Sequence, residues 1–434
     1  MSALYRNDKP GEFPPSYYAA TATIPATRAK LQGDQSADVV ILGAGFCGLW
    51  AALTCARAGL KTIVLDAHRA GFGASGRNGG QAGSAYNMLM SDLEKRLGQD
   101  KARALWDIAE DGKAQLKAFC ADQAPEAAYK PGIAHGAWDT ATAQAYQNEA
   151  EFWSTRYGYT DFDAPTGPEF CDIVKSPKYV GGVIDTGAGH LHPLNYALAL
   201  AREAEAAGAT IYELSEVTAI KPGAKVVMQT AQGQVTASHG IVAGNGYLSD
   251  IAPKVTSRTM PINSFIAATE PLGNRAGEIL ARDIAVADDK FVVNYFRLSE
   301  DKRLLFGGRE NYSIGFPKDI GTRLRERMES LFPQIQGVGV DYTWGGTLGI
   351  TPYRVPYVTR IGDNVMSAGG FSGHGVVLSG MAGRIMAEAV LGQAGRFDVM
   401  SELPCPKFPG GSALRAPILV LAMSWYSLRD RLGL

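Results

Sequence analysis

The sequence predicts an α/β protein of two interleaved domains, one of them wound around a parallel sheet. Three observations carry this. The short apolar run Val39-Val40-Ile41-Leu42 breaks into Gly43-x-Gly45-x-x-Gly48, a helical pattern follows to Arg57, and a second apolar run, Thr62 to Leu65, ends on Asp66. Near the other end of the chain, Val365 to Ala368 opens into a second glycine-rich turn and a second helical pattern. At 434 residues the chain exceeds one ordinary domain.

In the opening unit each glycine has a mechanical role. Gly43 permits the tight turn, Gly45 lets backbone approach a pyrophosphate, and Gly48 lets the helix pack closely on the strand. The helix start, with Phe46 and Cys47, offers free N–H groups and a partial positive charge to phosphates. Asp66 lies eighteen residues beyond Gly48, where an acid can accept hydrogen bonds from a ribose. A strand before, a helix after and an acid at this distance make the unit a dinucleotide site rather than a chance glycine turn.

The next segment separates flavin from nicotinamide. Gly71-Phe72-Gly73-Ala74-Ser75-Gly76-Arg77-Asn78-Gly79-Gly80-Gln81 carries five glycines in eleven residues, and each costs about 1 kcal/mol relative to alanine in a helix. It reads as a loop that sets backbone N–H groups and small polar side chains against a flat, electron-rich group. The late turn, Gly369-Gly370-Phe371-Ser372-Gly373-His374-Gly375-Val376-Val377, feeds a helix expected from about Leu378 to Leu391. Its dipole end suits the region around N1 and the C2 carbonyl, where a reduced flavin gathers negative charge.

Between these elements, helices are expected over 91–125, over 142–156, and from His192-Pro193 to about Ala207, with His192 as cap and proline at the first helical position. Strands are expected at 210–214, 225–230, 234–243, 259–270, 290–298 and 303–309. The strand near 240 ends in Val242-Ala243-Gly244-Asn245-Gly246 and should lie beside the first strand, bringing Gly244 to the cofactor from below. Val217, opening a bend after a strand, suits a backbone contact to an adenine. Residues 1–36 read as an aperiodic arm lying over the surface, without a signal peptide.

Composition, 46% hydrophobic and 20% charged with a net charge of −1, gives no reason to expect nucleic-acid or anionic-membrane binding. Five scattered cysteines without metal-ligand spacing read as reduced thiols of a cytoplasmic protein, with no metal site. Pro417 to Tyr426 is apolar but too short to span a bilayer. Buried tail, subunit contact in an oligomer and peripheral membrane foot all remain open for it.

With these residues in hand, the chain resembles the D-amino-acid oxidase superfamily of FAD enzymes, nearest its γ-glutamylputrescine oxidase branch. The likeness runs through SYYAA at 16–20, GFGASGRNGGQ at 71–81, GHLHPLN at 189–195, IVAGNGYL at 241–248, FSGHGV at 371–376, FPGG at 408–411 and SLRDRLG at 427–433. The resemblance implies a Rossmann-like FAD-binding domain (37–90, 168–258 and 345–400) with an interleaved substrate domain (91–167 and 259–344) built on a large antiparallel sheet. An arm (1–36) and a tail (401–434) flank them. It implies cofactor positions at Gly43, Gly45, Phe46, Cys47, Gly48, Asp66, Ala74, Ser75, Arg77, Asn78, Gly79, Gly80, Gln81, Val217, Gly244, Gly370, Phe371, Gly373, His374, Gly375 and Val376. Some members hold flavin through a Cys or His. Here no cysteine falls in 344–376 and no histidine in 71–81, so FAD is expected to be non-covalent. Tyr353-Arg354, Tyr357 and the segment Gly308 to Tyr312 depart from the branch pattern, and both regions are expected to border the substrate cavity.

The implied chemistry is amine oxidation by hydride transfer to flavin N5, followed by hydrolysis of the imine. It needs an oriented substrate more than a strong base. Tyr295 and Trp344 are the candidate aromatic walls, His374 a hydrogen-bonding group at the flavin, and Arg309 and Arg354 candidate anchors for a substrate carboxylate. Three activities fit. One is an oxidase of γ-glutamylputrescine or another ω-amino compound, with oxygen as acceptor. Another is a dehydrogenase or oxidase of an amino or imino acid, L-pipecolate-like or D-configured, serving a quinone or carrier protein. The third is a flavoprotein subunit whose role is assembly.

Overall fold

The computed structural model describes residues 4–409 apart from 249–250, 291 and 312–314. Two large sheets organise it. In the first, Val365–Gly369, Gly233–Val242, Gly33–Leu42, Thr62–Leu65 and Thr210–Tyr212 run parallel in that order, with Tyr357–Gly362 antiparallel at one edge. The strand near 240 therefore does lie beside the first strand. Gly33–Leu42 passes from exposed residues at its start to a fully buried Val39-Val40-Ile41, as a central parallel strand requires. The second sheet has nine strands, mostly antiparallel, running from Val340–Ile350 at one edge to Gln81–Ala82 at the other.

Helix Phe46–Arg57 is buried on nearly every side and packs against helix Gly375–Val390. Glycine sets that approach. A Cβ on Gly383 would stand 2.0 Å from the Cys47 carbonyl oxygen, and one on Gly380 would stand 2.6 Å from the Trp50 ring. The same device brings helix Gln99–Asp122 against Gly375–Val390, where Gly112 faces Met381.

Several expected elements shift. The helix over 91–125 is two, Met90–Leu97 and Gln99–Asp122, because Gly98 adopts φ +85° and ψ 162°, a conformation essentially reserved for glycine. The strand over 290–298 begins only at Tyr295. The Asp288 carboxylate accepts the Asn294 N–H at 2.8 Å and the Asn294 side-chain amide at 2.5 Å, which turns the preceding residues back on themselves. Two segments assigned by sequence to the nucleotide-binding part lie in the nine-stranded sheet, Gly181–His190 and the end of Val340–Ile350 from residue 345 onward.

The arm is not a surface strap throughout. Tyr17 and Tyr18 are buried in a short helix capped by Ser16, and the first strand already begins at Gly33. Among the described residues no helix is long and apolar enough to cross a membrane. The apolar run 417–426 and the motif at 427–433 lie outside the described residues.

Candidate functional site

The C-terminal ends of the parallel strands, the loop 71–82 and the turns at 244–247 and 369–374 converge on one region. Here the three opening glycines meet the constraints expected of them. Gly43 has φ +99°, a Cβ on Gly45 would lie 2.8 Å from Ser75 Oγ, and one on Gly48 would lie 1.8 Å from the Gly43 carbonyl oxygen. The Phe46 N–H donates to Ser75 Oγ at 3.0 Å, joining the helix start to the loop. The side chains of Phe46 and Cys47 turn into the core, and burial pushes the Cys47 thiol up to about 12. Only their backbone is placed to serve a ligand.

Asp66 accepts the Ala44 N–H at 2.7 Å and the His68 N–H at 2.8 Å. Burial pushes its carboxyl up to about 6, against the lowering effect of both hydrogen bonds. Glu213, which is more deeply buried, accepts N–H groups of Arg28 and Ala70 and the Arg28 guanidinium. Ser215 N–H reaches the Asp66 carbonyl, so the bend leading to Val217 is fastened to the end of the second strand. The Val217 side chain itself sits in the core beneath.

The loop is held from within. Asn78 Nδ2 donates to the Ala74 and Ser75 carbonyls at 3.0 and 2.9 Å, and its Oδ1 accepts the Gly80 N–H at 2.7 Å. Its side chain shapes the loop and is fully committed. Gly79 faces the Tyr295 ring, and its carbonyl accepts Arg297 Nε at 2.9 Å. Gly80 has φ +76° and lies against the Leu191 carbonyl. Gln81 donates its side-chain amide to the Val286 carbonyl at 2.8 Å, away from the loop.

Two expected contacts are overturned by geometry. Arg77 is buried, donating to the Phe72 carbonyl at 2.7 Å and pairing with Asp8 of the arm at 2.9 Å, so its side chain clasps the arm rather than a cofactor. Trp344 is buried against Tyr18 and donates its indole N–H to the Arg77 carbonyl at 3.0 Å, so it is core and not a substrate wall. Tyr295 does stand at the loop, against Gly79 and Gly307, with its hydroxyl 3.3 Å from Ser264 Oγ.

At the late turn, the helix starts at Gly375, three residues earlier than expected. Asn245, at φ +45°, accepts the Gly370 N–H at 2.9 Å, tying the late turn to the turn that follows strand Gly233–Val242. Phe371 bridges to Ile350, and the Phe371 and Val376 side chains are buried. A Cβ on Gly373 would meet open space. His374 Nε2 lies 2.9 Å from the Ser84 carbonyl oxygen. A carbonyl can only accept, so this nitrogen carries the hydrogen, and burial lowers the ring's pKa to keep it neutral. The imidazole therefore holds backbone and does not offer Nε2 to a ligand.

Arg354 has φ +60°, rare for a non-glycine residue, in a turn packed on the late one, where Thr351 N–H donates to Ser372 Oγ. Tyr353 is exposed beneath the Arg96 guanidinium. The Tyr357 backbone pairs with Gly369 at the late turn, but its side chain packs under Arg258 in a cleft of about 400 Å³ with Arg360 and Phe397. Arg309 pairs with Phe265 across the large sheet. Its side chain and residue Tyr312 lie outside the described part. No metal-binding cluster occurs among the described residues.

Arg297, Asn245, Ser84 and Glu213 were missed by sequence reasoning. Only Asn245, inside a glycine-rich turn, carried a readable signal.

The residues fit FAD. Glycines stand where side chains would fill the space beside Ser75 and Gly43, a half-buried acid follows the second strand, and two glycine-rich turns converge from opposite ends of the chain. Comparison with known proteins agrees. The family described as FAD dependent oxidoreductase (DAO) matches residues 38–389. A probable oxidoreductase OrdL of Rhizobium meliloti is 40% identical over 96% of this chain and 97% of its own length. The gamma-glutamylputrescine oxidoreductase of Escherichia coli is 38% identical over 96% of this chain and 98% of its own length. Among solved structures, glycine oxidase from Geobacillus kaustophilus superposes with a TM-score of 0.69 at 21% identity, covering 82% of this chain and 95% of that one. L-proline dehydrogenase from P. horikoshii does so at 0.69 and 18%, covering 83% and 94%. These two share the fold.

Proposed function

The chain belongs to the DAO family of FAD dependent oxidoreductases, and from that premise we propose that it oxidises the C–N bond of γ-glutamylputrescine or a related amine, with oxygen as acceptor. The products are an aldehyde, ammonia and hydrogen peroxide. The supporting observation is the 38% identity with gamma-glutamylputrescine oxidoreductase, spread over 96% of this chain, together with a site whose glycine loops are intact.

FAD, bound non-covalently, supplies the hydride acceptor. The chain's own residues bind and orient. The Gly43–Gly48 turn and the helix start would hold the pyrophosphate, Asp66 the ribose, and backbone at Val217 the adenine. The loop 74–81 would hold the flavin ring, and the 370–376 turn would offer its helix end to negative charge on the ring. Tyr295 walls the substrate side, excluding water and fixing the reacting carbon.

A second reading, an amino- or imino-acid dehydrogenase passing electrons to a quinone or carrier, draws on Arg354. Its strained backbone is the kind kept at ligand clamps. Anaerobic flavin bleaching followed by turnover with oxygen or an artificial quinone acceptor, using γ-glutamylputrescine, putrescine, L-pipecolate, proline, sarcosine and D-amino acids, separates the two. Turnover of the γ-glutamyl amine with peroxide supports the first. Turnover confined to amino or imino acids, lost in Arg354→Met, supports the second.

A further inference from the structure

A buried ionic cluster lies behind the candidate flavin site and takes no part in the reading above. Lys113, on helix Gln99–Asp122, is 4% exposed. Its ammonium donates to Ser84 Oγ at 2.6 Å and to Tyr159 OH at 2.9 Å, and it stands 2.9 Å from the Glu110 carboxylate. Tyr159 OH donates in turn to Asp185 at 2.5 Å. An apolar side chain could fill such a place at lower cost than a desolvated ammonium, so the lysine calls for a purpose beyond filling space.

What the cluster grips is the short segment leaving the cofactor loop. That segment meets the late turn twice. The Ser84 carbonyl is held by His374 Nε2 at 2.9 Å, and Asn87 Nδ2 donates to the Ser372 carbonyl at 2.7 Å. A Cβ on Gly83 would stand 2.7 Å from the His374 ring, so the contact is close-packed. Strained backbone flanks it, with Ala85 and Ser372 both at φ +54°. Such backbone persists only where its surroundings over-determine it.

We propose that Lys113 is a positioning residue. Through Ser84 it fixes the His374 imidazole, and so the mouth of helix Gly375–Val390, whose dipole end stabilises negative charge on the flavin pyrimidine. Tyr159 and Asp185 hold the ammonium in register. The proposal rests on the reading that the 370–376 turn faces that end of the flavin, but not on which amine is the substrate.

The test uses holoenzyme and sulfite, which bleaches a flavin more readily when negative charge on the pyrimidine is stabilised. Lys113→Met with FAD retained is expected to weaken sulfite binding by about tenfold, the scale of a helix-end interaction lost. Lys113→Arg is expected to recover most of it. Ser84→Ala, a smaller change that leaves the ammonium in place, should weaken sulfite binding about threefold and serves if Lys113→Met fails to fold. Parent-like sulfite binding in Lys113→Met, or in Ser84→Ala where that variant must stand in, overturns the proposal. His374→Ala distinguishes the two layers. If it alone weakens sulfite binding, Lys113 has no positioning role. If neither does, the placement of the turn at the flavin falls as well.

Discussion

Replacing Asp66 by asparagine should make the FAD-free protein more stable while weakening its hold on FAD. Burial moves this carboxyl from its ordinary 3.8 to about 6. A carboxyl raised on folding binds its proton more tightly in the folded state. Its effect is therefore a stability lost as pH rises from about 4 to about 6, and the cost is complete above that window. Two units correspond to about 3 kcal/mol at neutral pH. Asparagine removes that cost but must turn its NH2 group toward the Ala44 or His68 N–H, returning roughly 1–2 kcal/mol. The net expectation is a gain of about 1–2 kcal/mol. Urea unfolding of FAD-free parent and variant, from about pH 4 to about pH 8, reads it as a difference that opens across the window. A ribose hydrogen bond to a charged carboxylate contributes about 1.5–3 kcal/mol. Losing it should raise the FAD dissociation constant roughly ten- to hundredfold. Parallel stability curves at all pH values, or unchanged FAD affinity, would refute the reasoning.

Three other perturbations follow from the same contacts. Gly48→Ala places a methyl 1.8 Å from the Gly43 oxygen and should yield protein without bound flavin, visible as loss of the yellow colour at equal folded yield. Asn78→Ala removes three hydrogen bonds that shape the cofactor loop, about 3 kcal/mol at roughly 1 each, and fluorescence titration should show weakened FAD binding with the fold intact. Asp8→Ala leaves Arg77 buried without its carboxylate and should lower unfolding stability by about 3 kcal/mol, whereas a loss too small to measure in denaturant would show the arm to be dispensable.

The nucleotide-binding half was legible because its requirements are local. A tight turn, a free helix end and an acid at the end of the second strand each demand a residue type at a fixed spacing, so Gly43, Gly45, Gly48 and Asp66 announce themselves. The strands Lys130–Ala137 and Gly181–His190 did not, because their glycines and alanines carry no alternation. Those glycines answer to large rings packed on them from a helix and connecting turns, Tyr179 on Gly136, Phe170 on Gly182 and Tyr129 on Gly189. The candidate site divides the same way. The turns could be read, but which side chains face them could not. Arg77 and Trp344 look like site residues in sequence, yet each is claimed by a partner far along the chain, Asp8 for one and Tyr18 for the other. Arg297, the cation that supports Gly79, lies 218 residues away and carries no motif.

The central claim is amine oxidation at this flavin, and a single anaerobic turnover tests it most directly. Purified holoenzyme mixed with γ-glutamylputrescine should lose its flavin absorbance, and on admission of air should recover it with one peroxide formed per flavin. A flavin that stays oxidised with γ-glutamylputrescine but bleaches with amino or imino acids would contradict the account.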